Sequence, residues 1–112
     1  MSVSFGGFNE NTATFKVTEN IVKNTAVKMS ESNTVEACSG GEAFIGFVTE
    51  CGGGYAGVQL SGTVKATYSG SAPAVGYTKL AGDGDKVTAS ESGREYLVVA
   101  VDETAKTVTF IM

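Results

Sequence analysis

A chain of 112 residues has room for one domain with a modest hydrophobic core and none for a second catalytic or regulatory module. With 42% hydrophobic and 18% charged residues it is too apolar to be disordered, and 15 glycines against a single proline point to short extended segments joined by tight turns. A net charge of −4 without a run of Lys or Arg argues against a nucleic-acid partner, and no stretch of about 18 apolar residues is present to span a membrane.

Residues 1–12, with Phe5 and Phe8 among Gly, Ser and Asn, have no period of either regular structure and read as an extended N-terminal arm ahead of a single β domain over 13–112. They contain neither a basic segment nor an apolar run of the signal-peptide kind, so synthesis in the cytoplasm is expected. From Ala13 the pattern alternates: "ATFKVTE" sets Phe15 and Val17 against Thr14, Lys16 and Thr18. The piece "VTENIVKN", 17–24, is too short and too poor in helix formers to be more than a turn or a helical loop.

Extended segments follow at 25–29, 33–38, 44–50, 56–62, 63–68, 85–89, 96–102 and 106–111. "GGEA", Gly40 to Ala43, reads as the turn of a hairpin between 33–38 and 44–50, which sets Cys38 opposite Phe44 and far from Cys51. The two thiols are therefore expected to be free, in a reducing compartment. "YSGSAPAVGY", Tyr68 to Tyr77, reads as a surface loop. "REYLVVAVDETAKTVTFIM" is a hairpin whose first strand is apolar on both faces, Tyr96, Val98 and Ala100 on one and Leu97, Val99 and Val101 on the other. Such a strand is either the centre of a closed barrel or a surface covered by a neighbouring subunit. No repeat at a fixed period appears.

The motifs that suggest chemistry do not survive their context. "CGGGYAG", Cys51 to Gly57, has the spacing of a dinucleotide fingerprint, but the β-branched run "VQLSGTVKATY" follows where a helix is needed to meet a pyrophosphate, so it reads as a glycine-rich turn between strands. The absence of histidine removes His-based nucleophile pairs and zinc sites. "GDGDK", Gly82 to Lys86, begins like a calcium loop through Asp83 and Asp85, yet Val87 and Arg94 stand where the later ligands belong, so a tight turn is expected. Glu91 and Glu95 fall in a polar turn that nothing would turn into an acid–base pair. No catalytic, metal or cofactor-binding residues are assigned, and no enzyme is expected.

Across residues 42–112 the order "GEAFIGFVTE", "YAGVQLSGTVKATYSG", "VGYTKLAGDGDKVTAS" and "YLVVAVDETAKTVTFIM" resembles the small head-decoration, or capsid cement, proteins of tailed bacteriophages. The matching positions are Gly46, Val58 to Val64, Gly76 to Thr88 and Tyr96 to Ile111, while residues 18–32 lack the turn usual in that family and carry "NTAVKMSES" instead. The resemblance implies an all-β, small antiparallel β-barrel or β-clip-like fold that binds the major capsid protein lattice on the outside of a phage or prophage head, commonly as a homotrimer, and stabilises it without chemistry. Phe5, Phe8, Tyr55, Tyr96 and Val98 are the candidate partner-binding residues. The alternative from another class is a non-catalytic binding module, a carbohydrate-recognising or adhesion β-domain of a phage tail or bacterial surface protein. The lack of Trp counts against it.

Overall fold

The computed structural model describes residues 11–112, which form ten strands and no helix. In chain order these are β1 (Asn11–Lys16), β2 (Ala26–Glu31), β3 (Thr34–Ala37), β4 (Gly46–Gly52), β5 (Tyr55–Ser61), β6 (Thr63–Tyr68), β7 (Gly76–Asp83), β8 (Lys86–Ala89), β9 (Arg94–Asp102) and β10 (Thr107–Ile111). They close into two five-stranded barrels, ordered β1-β3-β2-β4-β5 and β6-β8-β7-β9-β10 around their circumferences. The all-β barrel architecture expected from the sequence is present, and it is present twice.

The two barrels have the same topology. In each, the first strand runs antiparallel to the fifth and closes the barrel by a short parallel pairing with the third, Lys16 with Thr34 in the first and Thr67–Tyr68 with Lys86–Val87 in the second. In each, the second strand lies between the third and the fourth, and the fourth turns tightly into the fifth. A fixed sequence period is missing because the turns differ in length. β4 and β5 are joined by Gly53–Gly54, both at positive φ (62° and 82°), the two-residue geometry that suits the strand twist. β9 and β10 are joined by residues 103–106, where the Asp102 Oδ1 accepts the Thr104 and Ala105 N–H groups.

Three expectations need correction. The segment 33–38 does not form a hairpin with 44–50. β3 turns back on β2 through Ser32–Asn33, with Asn33 at φ 61°, and β4 lies on the opposite side of β2. The reason is that "GGEA" is tied to the second barrel: Glu42 and Gly82 exchange N–H···O bonds at 3.0 and 2.7 Å, and the Asp83 Oδ1 accepts the Gly40 N–H. The supposed loop 68–77 gives its last two residues to β7, a strand that the Gly- and Lys-containing "GYTKLAGD" concealed, while Tyr68 ends β6 as the segment 63–68 expects. The expected arm gives up Asn11 and Thr12, which pair with Ser61 and Gln59 as the start of β1. Residues 17–24 contain no helix, in keeping with the sequence.

The first barrel is filled by Ile21, Val27, Val35, Val48, Ala56 and Val58. The second holds Val64, Tyr68, Leu80, Val87, Tyr96, Val98, Val108 and Phe110, and its cluster extends to Ala26, Cys38, Phe44 and Phe47 of the first repeat. Strand periodicity explains the sharing: Val27 and Val48 point into the first barrel, so their neighbours Ala26 and Phe47 point out of it, against the second. The barrels meet closely where β2 faces β7. A Cβ on Gly82 would stand 2.7 Å from that of Ala26 and 3.1 Å from that of Cys38.

Gly82→Ala is therefore expected to lower stability by about 1–3 kcal/mol through overpacking of this seam. Gly52→Ala, where an added Cβ meets nothing within 4 Å, is expected to change it by less than about 0.5 kcal/mol. Urea unfolding of both variants reads the difference.

Candidate functional site

Of the residues expected to bind a partner, Phe5 and Phe8 lie outside the described residues. Tyr55 opens β5 beside the glycine turn and is half exposed, beside a shallow depression formed with Cys51 and Thr14. Tyr96 and Val98 are not surface residues. Val98 is 1% exposed, and the Tyr96 ring stacks on Phe44 with centroids 5.1 Å apart while its hydroxyl donates to the Phe44 carbonyl at 3.2 Å. The sequence could not say which face of strand 96–101 is inside; barrel closure decides it, burying Tyr96 and Val98 and leaving Leu97 and Val99 half-buried on the outside.

That inversion exposes a different surface. Tyr77 stands directly opposite Leu97, and Leu97 opposite Ile111, so the three outward side chains form one row across β7, β9 and β10. Tyr77 is 72% exposed and Val75, just before β7, is 70% exposed. Cross-strand neighbours on one face stand about 5 Å apart, close enough to act as one apolar stripe. The signal lay in the strand period: once Val98 is inside, Leu97 must be outside.

A second feature lies between the barrels. A groove of about 500 Å³ has β6 residues Thr63 to Thr67 along one side, with Phe47 to Thr49 of β4 and Gln59 also lining it. Lys23, Lys65 and Asp85 line the same groove. The Gln59 Nε2 donates to the carbonyls of Ser61 and Thr63.

The ionisable groups near the seam are mutually satisfied. Lys28 pairs with Glu42 and, at 3.5 Å, with Glu36. The hydrogen bond from Lys28, helped by the Ser39 N–H, holds the Glu42 carboxyl below its usual range, and Glu42 in turn raises Lys28. Glu91 is solvated and meets Lys79 at 3.2 Å; no group of three or more Cys, Asp or Glu suited to a metal occurs among the described residues. Both cysteines are free thiols, Cys38 buried and Cys51 partly so. Burial pushes the Cys38 thiol up to about 11, with the Glu42 charge adding to it, and burial likewise raises the Tyr96 phenol.

The chain matches no protein-family model and no curated protein.

Two outcomes follow from these environments. Tyr96→Phe is expected to cost about 1 kcal/mol, the net worth of one buried hydrogen bond, measured by thermal or urea unfolding. Cys38 and Tyr96 hold their protons more tightly folded than unfolded: the stability from Tyr96 declines only above the usual phenol value, while that from Cys38 is full below about pH 9 and declines as pH rises towards 11. Urea midpoints collected across that window should fall less steeply for Cys38→Ala than for the parent chain.

Proposed function

We propose that this protein is a non-catalytic decoration subunit that binds the outside of a phage or prophage head and reinforces the contacts between major capsid subunits, assembling there as a homotrimer. The observation that carries this reading is the row Tyr77, Leu97 and Ile111 with Val75 beside it, an apolar stripe on the outer wall of a closed barrel. Aromatic and aliphatic side chains held on a rigid sheet are the anchors from which protein interfaces are built, because little conformational entropy is lost when they are covered. The joined barrels measure 41 × 28 × 21 Å, a body small enough to sit over a junction between shell subunits. Three such subunits acting together turn a weak individual contact into firm attachment. The order of turns and strands in residues 42–112, which resembles the head-decoration family, supports the same assignment.

The test is co-sedimentation with empty heads of the parent phage, alongside a glycan-binding screen. Wild-type protein should sediment with the heads, and Tyr77→Glu should weaken attachment by about tenfold or more, the scale of one interface anchor, while leaving the melting temperature unchanged. A protein that ignores heads and binds glycans belongs instead to the carbohydrate-recognising class.

A further inference from the structure

Strand β6 is covered along one side only. β10 pairs with Thr63 through Thr67, whereas on the other side β8 reaches no further than Thr67 and Tyr68. Along Thr63–Ala66 no strand of the described residues lies on that second side. The alternation of the ladder states which backbone groups face it. The Tyr68 N–H donates to the Lys106 carbonyl, so residues 64, 66 and 68 aim their backbone polar groups at the β10 side and residues 63 and 65 aim theirs at the open edge. The Gln59 side-chain amide already stands in for a neighbouring strand at the Thr63 carbonyl, at 3.3 Å. The next outward position is Lys65.

This edge is lined rather than bare. It forms one side of the groove between the barrels, with β4 contributing Phe47 to Thr49 and Lys23 also lining it. Exposed strand edges attract other chains, and proteins usually blunt them with charge, bulges or covering segments. Four residues of strand offer about 13 Å of ladder, enough for a short extended segment to pair. Charge selects the segment. Lys28 and Lys79 are each engaged by a carboxylate, whereas Lys23 and Lys65 have no ion pair among the described residues, and together they outweigh Asp85 in the groove.

We propose that this groove is a strand-addition site, which takes an extended segment bearing carboxylate side chains from the shell protein to which the preceding reading docks the molecule. The segment lies beside β6, exchanges hydrogen bonds with the Lys65 N–H and carbonyl, and sets its acidic groups against Lys23 and Lys65. Backbone pairing supplies the attachment and the two ammonium groups supply the preference.

The probe is an acetylated hexapeptide alternating glutamate and valine, with a threonine-for-glutamate version as its neutral counterpart. Adding the acidic peptide to the full chain should slow hydrogen exchange at the Lys65 amide by about tenfold or more and leave the β10 amides as they were. The neutral peptide should bind several-fold more weakly. Lys65→Pro removes the N–H through which the segment is held and none that faces β10, so it should keep the fold and lose the peptide. The double variant Lys23→Glu with Lys65→Glu keeps the edge intact and should weaken binding of the acidic peptide by about tenfold or more, while leaving the neutral one little changed. Binding by Lys65→Pro equal to wild type, or peptide binding that leaves the Lys65 amide unprotected, overturns the proposal. Heads separate the two readings: if wild type and Lys65→Pro decorate heads equally, strand addition fails and decoration stands. If wild type ignores heads yet the peptide protects Lys65, decoration fails and only the source of the segment has to be revised.

Discussion

The contact between Phe44 and Phe47 of the first repeat and Tyr96 and Phe110 of the second holds this molecule together. The four rings sit at centroid distances of 4.9 to 6.1 Å, mostly tilted, with Phe44 and Tyr96 stacked. A barrel of about fifty residues buries too little surface to be secure by itself. The first barrel has the smaller buried core of the two, and an aliphatic one. By directing Phe47 and Phe44 outward it makes the second barrel's core its own, and the two small cores become one. Everything at the seam follows from that sharing: Gly82 leaves room for Ala26 and Cys38, and the Glu42 backbone bridges to Gly82 rather than closing a hairpin.

The second consequence lies in how each barrel closes. Four of the five junctions are antiparallel, and the fifth is a parallel contact of one or two residue pairs between the first and third strands. Parallel pairing this short leaves most of the first strand's second edge without a neighbour. In the second repeat that edge runs beside β4 of the first repeat, and the space between them is the groove that Lys23 and Lys65 line. A cleft of this kind needs no special loop. It arises because a barrel with a short seam is packed against another barrel, and Gly62, at φ 107° between β5 and β6, joins the two within a single residue.

Much of the fold was legible because strands announce themselves by β-branched residues and by turns that demand glycine, aspartate or asparagine. The span 63–68 coincides with β6, the 96–111 hairpin holds, and the glycines of "CGGGYAG" turn β4 into β5. What the sequence concealed was the partner of each strand. "GGEA" looked like a local turn because its glycines suit one, and its true partner, Gly82, lies 40 residues away. The duplication was hidden for a related reason: the repeats share connectivity but differ in their cores, Ala56 and Val58 of β5 against Val108 and Phe110 of β10. The site suffered most. Tyr96 and Val98 lie on a strand apolar on both faces, and only closure of the barrel reveals that they are interior while Leu97 is outside.

Closure also links the two surface features. Ile111, at one end of the apolar row, stands opposite Thr63, the first residue of the β6 edge. The order across the outer wall is therefore Tyr77, Leu97, Ile111, Thr63 and then the groove. A chain added beside β6 would become the next strand of that same sheet, and its outward side chains would continue the row rather than start a separate contact. An apolar stripe alone is indifferent to what covers it, and a strand edge alone accepts almost any extended chain. Placed in one register, they ask for a partner that offers an extended acidic segment and an apolar surface side by side, a far narrower requirement than either makes separately.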